Sequence, residues 1–288
     1  MITGQEPLNY PGASDDAVWR DLTFPADYKN PVSAASYHLV VIGAGSAGLI
    51  TAIGAAGLGA RVALIEREAM GGDCLNIGCV PSKALLEYTR QAGEHANFDE
   101  AFAWLRKVRA KIAEHDSVSR YNKNGVDVYL GSAQLLSDRV VQVGDQTLRA
   151  RRIVIATGAR AALPPVPGLA ECEPLTNATL FDLTVQPESI AILGGGAIGC
   201  EMAQAFSRLG TAVELFELQG RVLPLEMEDA SAAVAAALER DGVNLHLGEA
   251  VASISQHGGK TIVETSGTQV TVDRILVAAG RQANVEGL

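Results

Sequence analysis

Basic residues are scarce. The chain sets 23 Lys and Arg against 33 Asp and Glu, a net charge of −10, so no field draws phosphate backbones to its surface and nucleic acid is not an expected partner. Aromatics are only 5% of a sequence that is 48% hydrophobic, which leaves an aliphatic core and excludes a disordered chain. The 288 residues give room for about two domains at ~100–200 residues each. Cysteine is sparse too, at four residues. Cys74 and Cys79 lie close together, but no other Cys or His within a dozen residues completes the set of about four ligands that zinc takes. No metal site is expected. Long apolar runs free of glycine are also missing. Pro31 to Ala60 holds no charged residue, enough for the ~20 residues of a membrane span, yet Gly43, Gly45, Gly48, Gly54, Gly57 and Gly59 interrupt it. A buried strand followed by a tightly packed helix accounts for the same apolarity, so no membrane association is expected. Met1 to Ser36 lacks a basic start followed by an apolar run, so no secretory leader is expected and a cytoplasmic location follows.

Glycine is where the sequence is rich, and its clusters repeat. Gly43 to Glu66, GAGSAGLITAIGAAGLGARVALIE, aligns without gaps on Gly194 to Glu217, GGGAIGCEMAQAFSRLGTAVELFE. Gly43, Gly45, Gly48 and Glu66 meet Gly194, Gly196, Gly199 and Glu217 at one constant offset. Each copy follows an apolar strand (His38 to Ile42, Ile190 to Leu193) and precedes a helical pattern and a second strand, which makes it a βαβ unit. The first glycine permits the turn, the second lets backbone approach a pyrophosphate at the helix N-terminus, and the third allows close helix packing. The acidic residue about 20 positions on is placed to accept from a ribose hydroxyl. Ile153 to Gly158 and Ile275 to Gly280 match as returning strands that end at a small residue and glycine. The intervening segments, Val126 to Arg149 and Val243 to Asp273, read as β-hairpins or a meander. The expected fold is α/β, two Rossmann-like dinucleotide-binding domains in three layers with β-meander insertions. Residues 1–35, with four prolines, Trp19, Phe24 and Tyr28 but no clear period, read as an extended arm that packs by its aromatics or stays disordered.

Cys74 and Cys79 sit in Gly71 to Lys83, GGDCLNIGCVPSK, just after the first βαβ. At helical spacing their side chains would point apart, so a bond between them needs a break, which Gly78 and Pro81 supply. A redox pair is the favoured reading in an intracellular chain, with zinc ligation and unconnected thiols as alternatives. A bond across so short a loop would be more readily reduced than a structural bridge. The isolated Cys172 and Cys200 read as small buried hydrophobes.

The run GGDCLNIGCVPSKAL, placed after a G-x-G-x-x-G unit and followed by a second one, closely resembles the redox segment of the flavin-dependent pyridine nucleotide–disulfide oxidoreductases. These include mercuric reductase, dihydrolipoamide dehydrogenase and glutathione reductase, and the resemblance covers residues 36–288. It implies an FAD-binding domain over 36–160, incomplete, and an NAD(P)-binding domain over 161–288. A C-terminal FAD segment and a dimerisation domain are expected to be absent, and the full-length protein is expected to be a homodimer. By motif, Gly43, Gly45, Gly48, Glu66, Gly72, Asp73, Ala133, Thr157 and Gly158 would bind FAD. Gly194, Gly196, Gly199, Glu217, Val251 and Gly280 would bind the nicotinamide dinucleotide, with Ile198 shielding the flavin. Hydride would pass from NAD(P)H to FAD, then electrons to a Cys74–Cys79 disulfide and on to a small-molecule, metal-ion or disulfide substrate. Cys79 resembles the thiol that meets the flavin and Cys74 the one that meets substrate. Lys83, paired with Glu201, would sit near the flavin. Glu217 favours NADH over NADPH, since its charge opposes a 2′-phosphate, while Arg221 weakens that preference. Mercuric reductase is the implied type and dihydrolipoamide dehydrogenase the alternative. From another class, a nucleotide-binding fragment without turnover would show the same turns.

Overall fold

In a computed structural model the described residues are 10–288; residues 1–9, Pro7 among them, lie outside. The chain forms two compact units. One takes residues up to Pro81, Leu105–Ala159 and Ala283–Leu288; the other takes Ser82–Trp104 and Arg160–Gln282.

The chain begins with helix α1 (Ala13–Thr23), then β1 (Tyr37–Ile42), α2 (Ser46–Gly57), β2 (Val62–Glu66) and a short α3 (Gly72–Asn76). Helices α4 (Cys79–Ala92), α5 (Phe98–Ala113) and α6 (Val118–Lys123) lead to β3 (Val126–Leu130), β4 (Ala133–Ser137), β5 (Val140–Val143) and β6 (Gln146–Ile155). The six strands form one sheet in the order β3-β2-β1-β6-β5-β4. Alternation along the strands sorts the two faces. Val41, Val62, Leu64 and Val128 pack with Leu49 and Ala52 of α2, whereas Val40, Ile42, Ala63 and Ile65 pack with Val141, Val143 and Leu148 of the antiparallel strands. Strands covered on both faces read as unbroken apolar runs, and β2 is buried throughout.

After β7 (Ala159–Ala161) the other unit brings α7 (Asn177–Leu180), β8 (Ser189–Leu193), α8 (Ala197–Arg208), β9 (Ala212–Glu217), α9 (Glu228–Arg240), β10 (Asn244–Leu247), β11 (Val251–His257), β12 (Lys260–Thr265), β13 (Gln269–Val272) and β14 (Arg274–Val277), before β15 (Arg281–Ala283). The parallel order β10-β9-β8-β14 repeats that of β3-β2-β1-β6. The meander β11-β12-β13 covers one face through Ile254, Val263 and Val272 on Ala191 and Leu193. The fold is thus α/β, with two Rossmann-like units that each carry a β-meander.

Two expectations are corrected here. Val126 to Leu130 and Asn244 to Leu247 are not meander strands; they extend the parallel sheets, in register Val62↔Val126 and Asn244↔Glu214. A helix precedes each, and a crossover helix returns the chain parallel to the strand it left. The arm is also not simply extended. Helix α1 has no apolar period because the residues it buries completely are Asp16 and Thr23, and a polar buried face leaves no hydrophobic signal. No helix among the described residues is long and apolar enough to cross a membrane.

Candidate active site

The two glycine turns are built alike. Gly43 has φ +100° and Gly194 φ +112°. A Cβ at Gly48 would lie 1.8 Å from the Gly43 carbonyl oxygen, and one at Gly199 would lie 1.9 Å from that of Gly194. Only glycine therefore lets each helix seat on its turn. Gly45 and Gly196 cap α2 and α8 in extended backbone, and no side chain caps either helix. Their leading N–H groups are left for an anion at the positive end of the helix.

Glu66 and Glu217 do something the sequence pattern did not reveal. Glu66 accepts from the N–H of Ala44 at 2.7 Å and of Glu68 at 2.8 Å. Glu217 accepts from Gly195 at 2.7 Å and Gln219 at 2.8 Å. Each carboxylate ties its turn to the end of the second strand, and with about four acceptor positions it retains capacity for a ribose hydroxyl. Burial raises the Glu66 pKa above the usual carboxylate range, although backbone N–H groups of Glu68, Ala44 and Arg67 oppose it.

Cys74 sits in α3 and Cys79 opens α4. The break expected at Gly78 and Pro81 is made at Ile77 and Gly78, where a Cβ on Gly78 would come 2.8 Å from the Asp73 carbonyl oxygen. Pro81 lies inside the first turn of α4, where its missing N–H costs nothing. Both cysteines are thiols here. They meet through a hydrogen bond, and Ser46 at the start of α2 donates toward Cys74. Burial raises the Cys74 pKa, the Cys79 contact adds to that, and Ser46 opposes it. The dithiol loop also closes on the first turn. Gly71 N–H reaches the Ala44 carbonyl at 2.8 Å, and a Cβ at Gly72 would lie 2.4 Å from Gly45 Cα.

Asp73 follows Gly72 in α3. Ala133 opens β4 opposite Val143. Thr157 donates to the Asn284 carbonyl at 2.6 Å and accepts at its own carbonyl from Asn284 Nδ2 at 3.0 Å; Gly158, φ +66°, accepts from the Asn284 N–H. Asn284 was missed from sequence, as a lone asparagine outside every motif.

In the other unit Lys83 Nζ donates to Glu201 Oε1 at 2.5 Å, as the resemblance implied. Lys83 lies four residues beyond Cys79 on α4, on the same helix face. A cleft of about 200 Å³ is lined by Gly196, Ile198 and Gly280 together with Asn177, Ala278 and Arg281. Asn177 and Arg281 carried no motif. Val251, half-buried at the start of β11, packs against the core cluster with Leu169 and Ile254. A larger cleft, about 390 Å³, runs between α8 and α9 past Cys200 and Glu201. Cys200 is buried as expected, its pKa pushed up to about 11 by burial and by the charges of Glu217 and Glu201. Cys172, expected buried, is partly exposed, because it ends a short surface turn.

The profile of the pyridine nucleotide-disulphide oxidoreductases matches residues 37–288, and the chain belongs to that family. Its members are flavin-dependent and draw electrons from NAD(P)H. A dihydrolipoyl dehydrogenase of Acholeplasma laidlawii is 33% identical over 270 residues, which is 88% of this chain and 80% of that protein. A mercuric reductase of Staphylococcus aureus is 33% identical over 88% of this chain and 49% of its own length. The solved HOCl-induced flavoprotein disulfide reductase RclA of Escherichia coli superposes with a TM-score of 0.79 at 32% identity, covering 88% of this chain and 58% of that one. The chain thus spans about half the length of several relatives that it matches.

Proposed function

We propose that this chain provides the FAD site, the nicotinamide site and the redox dithiol of an NAD(P)H-dependent disulfide oxidoreductase. The observation that carries this reading is the dithiol itself, two cysteines in contact across Gly78 on a loop that touches the first glycine turn. The residues fit FAD: the uncapped start of α2 accepts a pyrophosphate, and the Glu66 carboxylate beside it accepts from a ribose. When bound, FAD supplies a two-electron relay between the nicotinamide and the Cys79 sulfur. Gly45 keeps a side chain out of its approach, and Gly48 lets α2 seat on the turn. Lys83, held by Glu201, places a positive charge one helical turn from Cys79.

NADH is the proposed donor. Glu217 opposes a 2′-phosphate, and the Arg221 guanidinium donates to the Pro224 carbonyl at 3.0 Å. The proposed reaction reduces a metal ion or a small disulfide in the cytoplasm, of mercuric reductase type, with dihydrolipoamide dehydrogenase as the second reading. The full-length protein is proposed to be a homodimer.

Reconstitution with FAD and titration with NADH tests this. A yellow protein that develops a long-wavelength absorption band on two-electron reduction is expected, and Cys79→Ser should remove the band while flavin reduction by NADH persists. A protein that takes up no added FAD would instead be a nucleotide-binding fragment without turnover. Turnover with Hg²⁺, lipoamide and glutathione disulfide separates the substrate readings.

A further inference from the structure

Outside the glycine motifs, the first unit buries two arginines and one aspartate together. Asp16 is 4% exposed, Arg106 1% and Arg109 0%. Asp16 Oδ1 accepts from Arg109 Nη2 at 2.7 Å and its Oδ2 faces Arg106 Nε at 3.3 Å. Tyr10 donates to the same carboxylate at 2.8 Å. Charges are costly to bury unless paired and hydrogen-bonded, so this cluster fixes α1 to α5 in one arrangement. What it holds is the dithiol segment. The Arg109 guanidinium lies 4.0 Å over the Trp19 ring and donates through Nη1 to the Asn76 carbonyl at 3.1 Å. Trp19 Nε1 donates to Asn76 Oδ1 at 2.8 Å. Asn76 in turn donates to the carbonyls of Ala69 and Met70 at 3.3 and 3.2 Å. The Thr23 carbonyl accepts from Met70 N–H at 3.1 Å. Asn76 ends α3, two residues after Cys74.

We infer that α1 is a brace for the redox thiols: Trp19 and Arg109, anchored on Asp16, are positioning residues that hold the α3 end so that Cys74 meets Cys79. The inference rests on the redox reading of that pair. The physical reason is preorganisation. A dithiol already held in contact loses little freedom when it closes to a disulfide, and loosening one arm lowers the effective concentration of one thiol at the other.

The test is the dithiol–disulfide equilibrium of the purified chain in glutathione buffers, quenched by alkylation and read by peptide mass spectrometry. In that exchange the Cys74 and Cys79 thiols lose two electrons and two protons as their S–S bond forms. Oxidised glutathione takes up both as its own S–S bond breaks into two thiols. Trp19→Phe keeps a ring over Arg109 and removes only the donor to Asn76. It should shift the equilibrium toward dithiol on the order of tenfold, about 30 mV for a two-electron couple, and speed alkylation of Cys74. Tyr28→Phe is the control. Tyr28 also anchors the arm, donating to the Val128 carbonyl at 2.9 Å, but it does not touch α3, so it should lower stability and leave the equilibrium alone. An unchanged equilibrium in Trp19→Phe, or an equal shift in both variants, makes the arm a stabilising strap only and overturns the inference. If the wild-type chain forms no Cys74–Cys79 bond at any glutathione ratio, the redox reading itself falls and takes the brace with it.

Discussion

At the first glycine turn the chain comes back on Gly71, φ +100°, whose N–H reaches the Ala44 carbonyl. At the second turn Leu223, φ +47°, makes the same return to the Gly195 carbonyl at 2.7 Å. The backbone plan is shared and the surroundings are not. The first turn is closed by chain, with the Gly72 backbone against Gly45, whereas a Cβ at Gly196 would meet nothing within 4 Å. One turn is built into the dithiol loop; the other faces a cleft. On the proposed reading this separates a flavin held beside its thiols from a nicotinamide that enters and leaves.

The comparison can be broken most sharply at the residues the copies share. Gly48→Ala and Gly199→Ala should each cost about 3 kcal/mol or more, since each methyl would overlap a carbonyl oxygen that cannot move without opening its turn. Urea unfolding of each variant against the wild type measures the two losses. If either substitution is tolerated, the two turns are not equivalent.

A smaller effect should divide the copies. Gly71→Ala puts a methyl 2.3 Å from the Leu75 side chain at a positive φ and should cost about 2–3 kcal/mol. Leu223→Ala keeps the backbone strain already present and loses a partly exposed apolar contact, about 1 kcal/mol. Equal losses in the two variants would mean that the return segment is as tightly packed at the second turn as at the first.

Glu66 predicts a pH effect at the first turn. Its folded pKa is raised, chiefly by burial, so the folded state holds the proton more tightly than the unfolded chain. This contribution is fully present below the unfolded value of about 4.3 and is lost as pH rises through the folded one. Stability of the wild type measured from about pH 4 to 7 should include a downward component that Glu66→Gln removes. A pH dependence identical in both proteins would show that the carboxylate does not titrate in that window.

The smallest effect is expected for Lys83→Ala. Lys83 is 60% exposed on the side chain, and pairs this open to solvent are worth under about 1 kcal/mol. Loss of several kcal/mol in the thermal or urea midpoint would mean the ion pair carries structure as well as chemistry.

The doubled βαβ plan was legible because it is local. Strand, turn and helix follow one another within about 25 residues, and each glycine is demanded by a contact inside its own copy, as at Gly48 on Gly43. The dithiol was legible for the same reason. The parallel placement of Val126 to Leu130 was not, since periodicity gives a strand but not its partner. Helix α1 was hidden because its buried face is polar, and Asn284 because nothing around it repeats.

By itself the sequence determined two glycine turns, a pair of neighbouring cysteines and an aliphatic core, through spacing and the steric needs of glycine. Only the tertiary structure decided that Glu66 and Glu217 fasten their own turns. It alone brought Asp16 to Arg106 and Arg109, across about 90 residues, and set Trp19 on Asn76 beside Cys74. Such contacts depend on which buried charge finds which partner in the folded chain, and no spacing along the sequence encodes that choice.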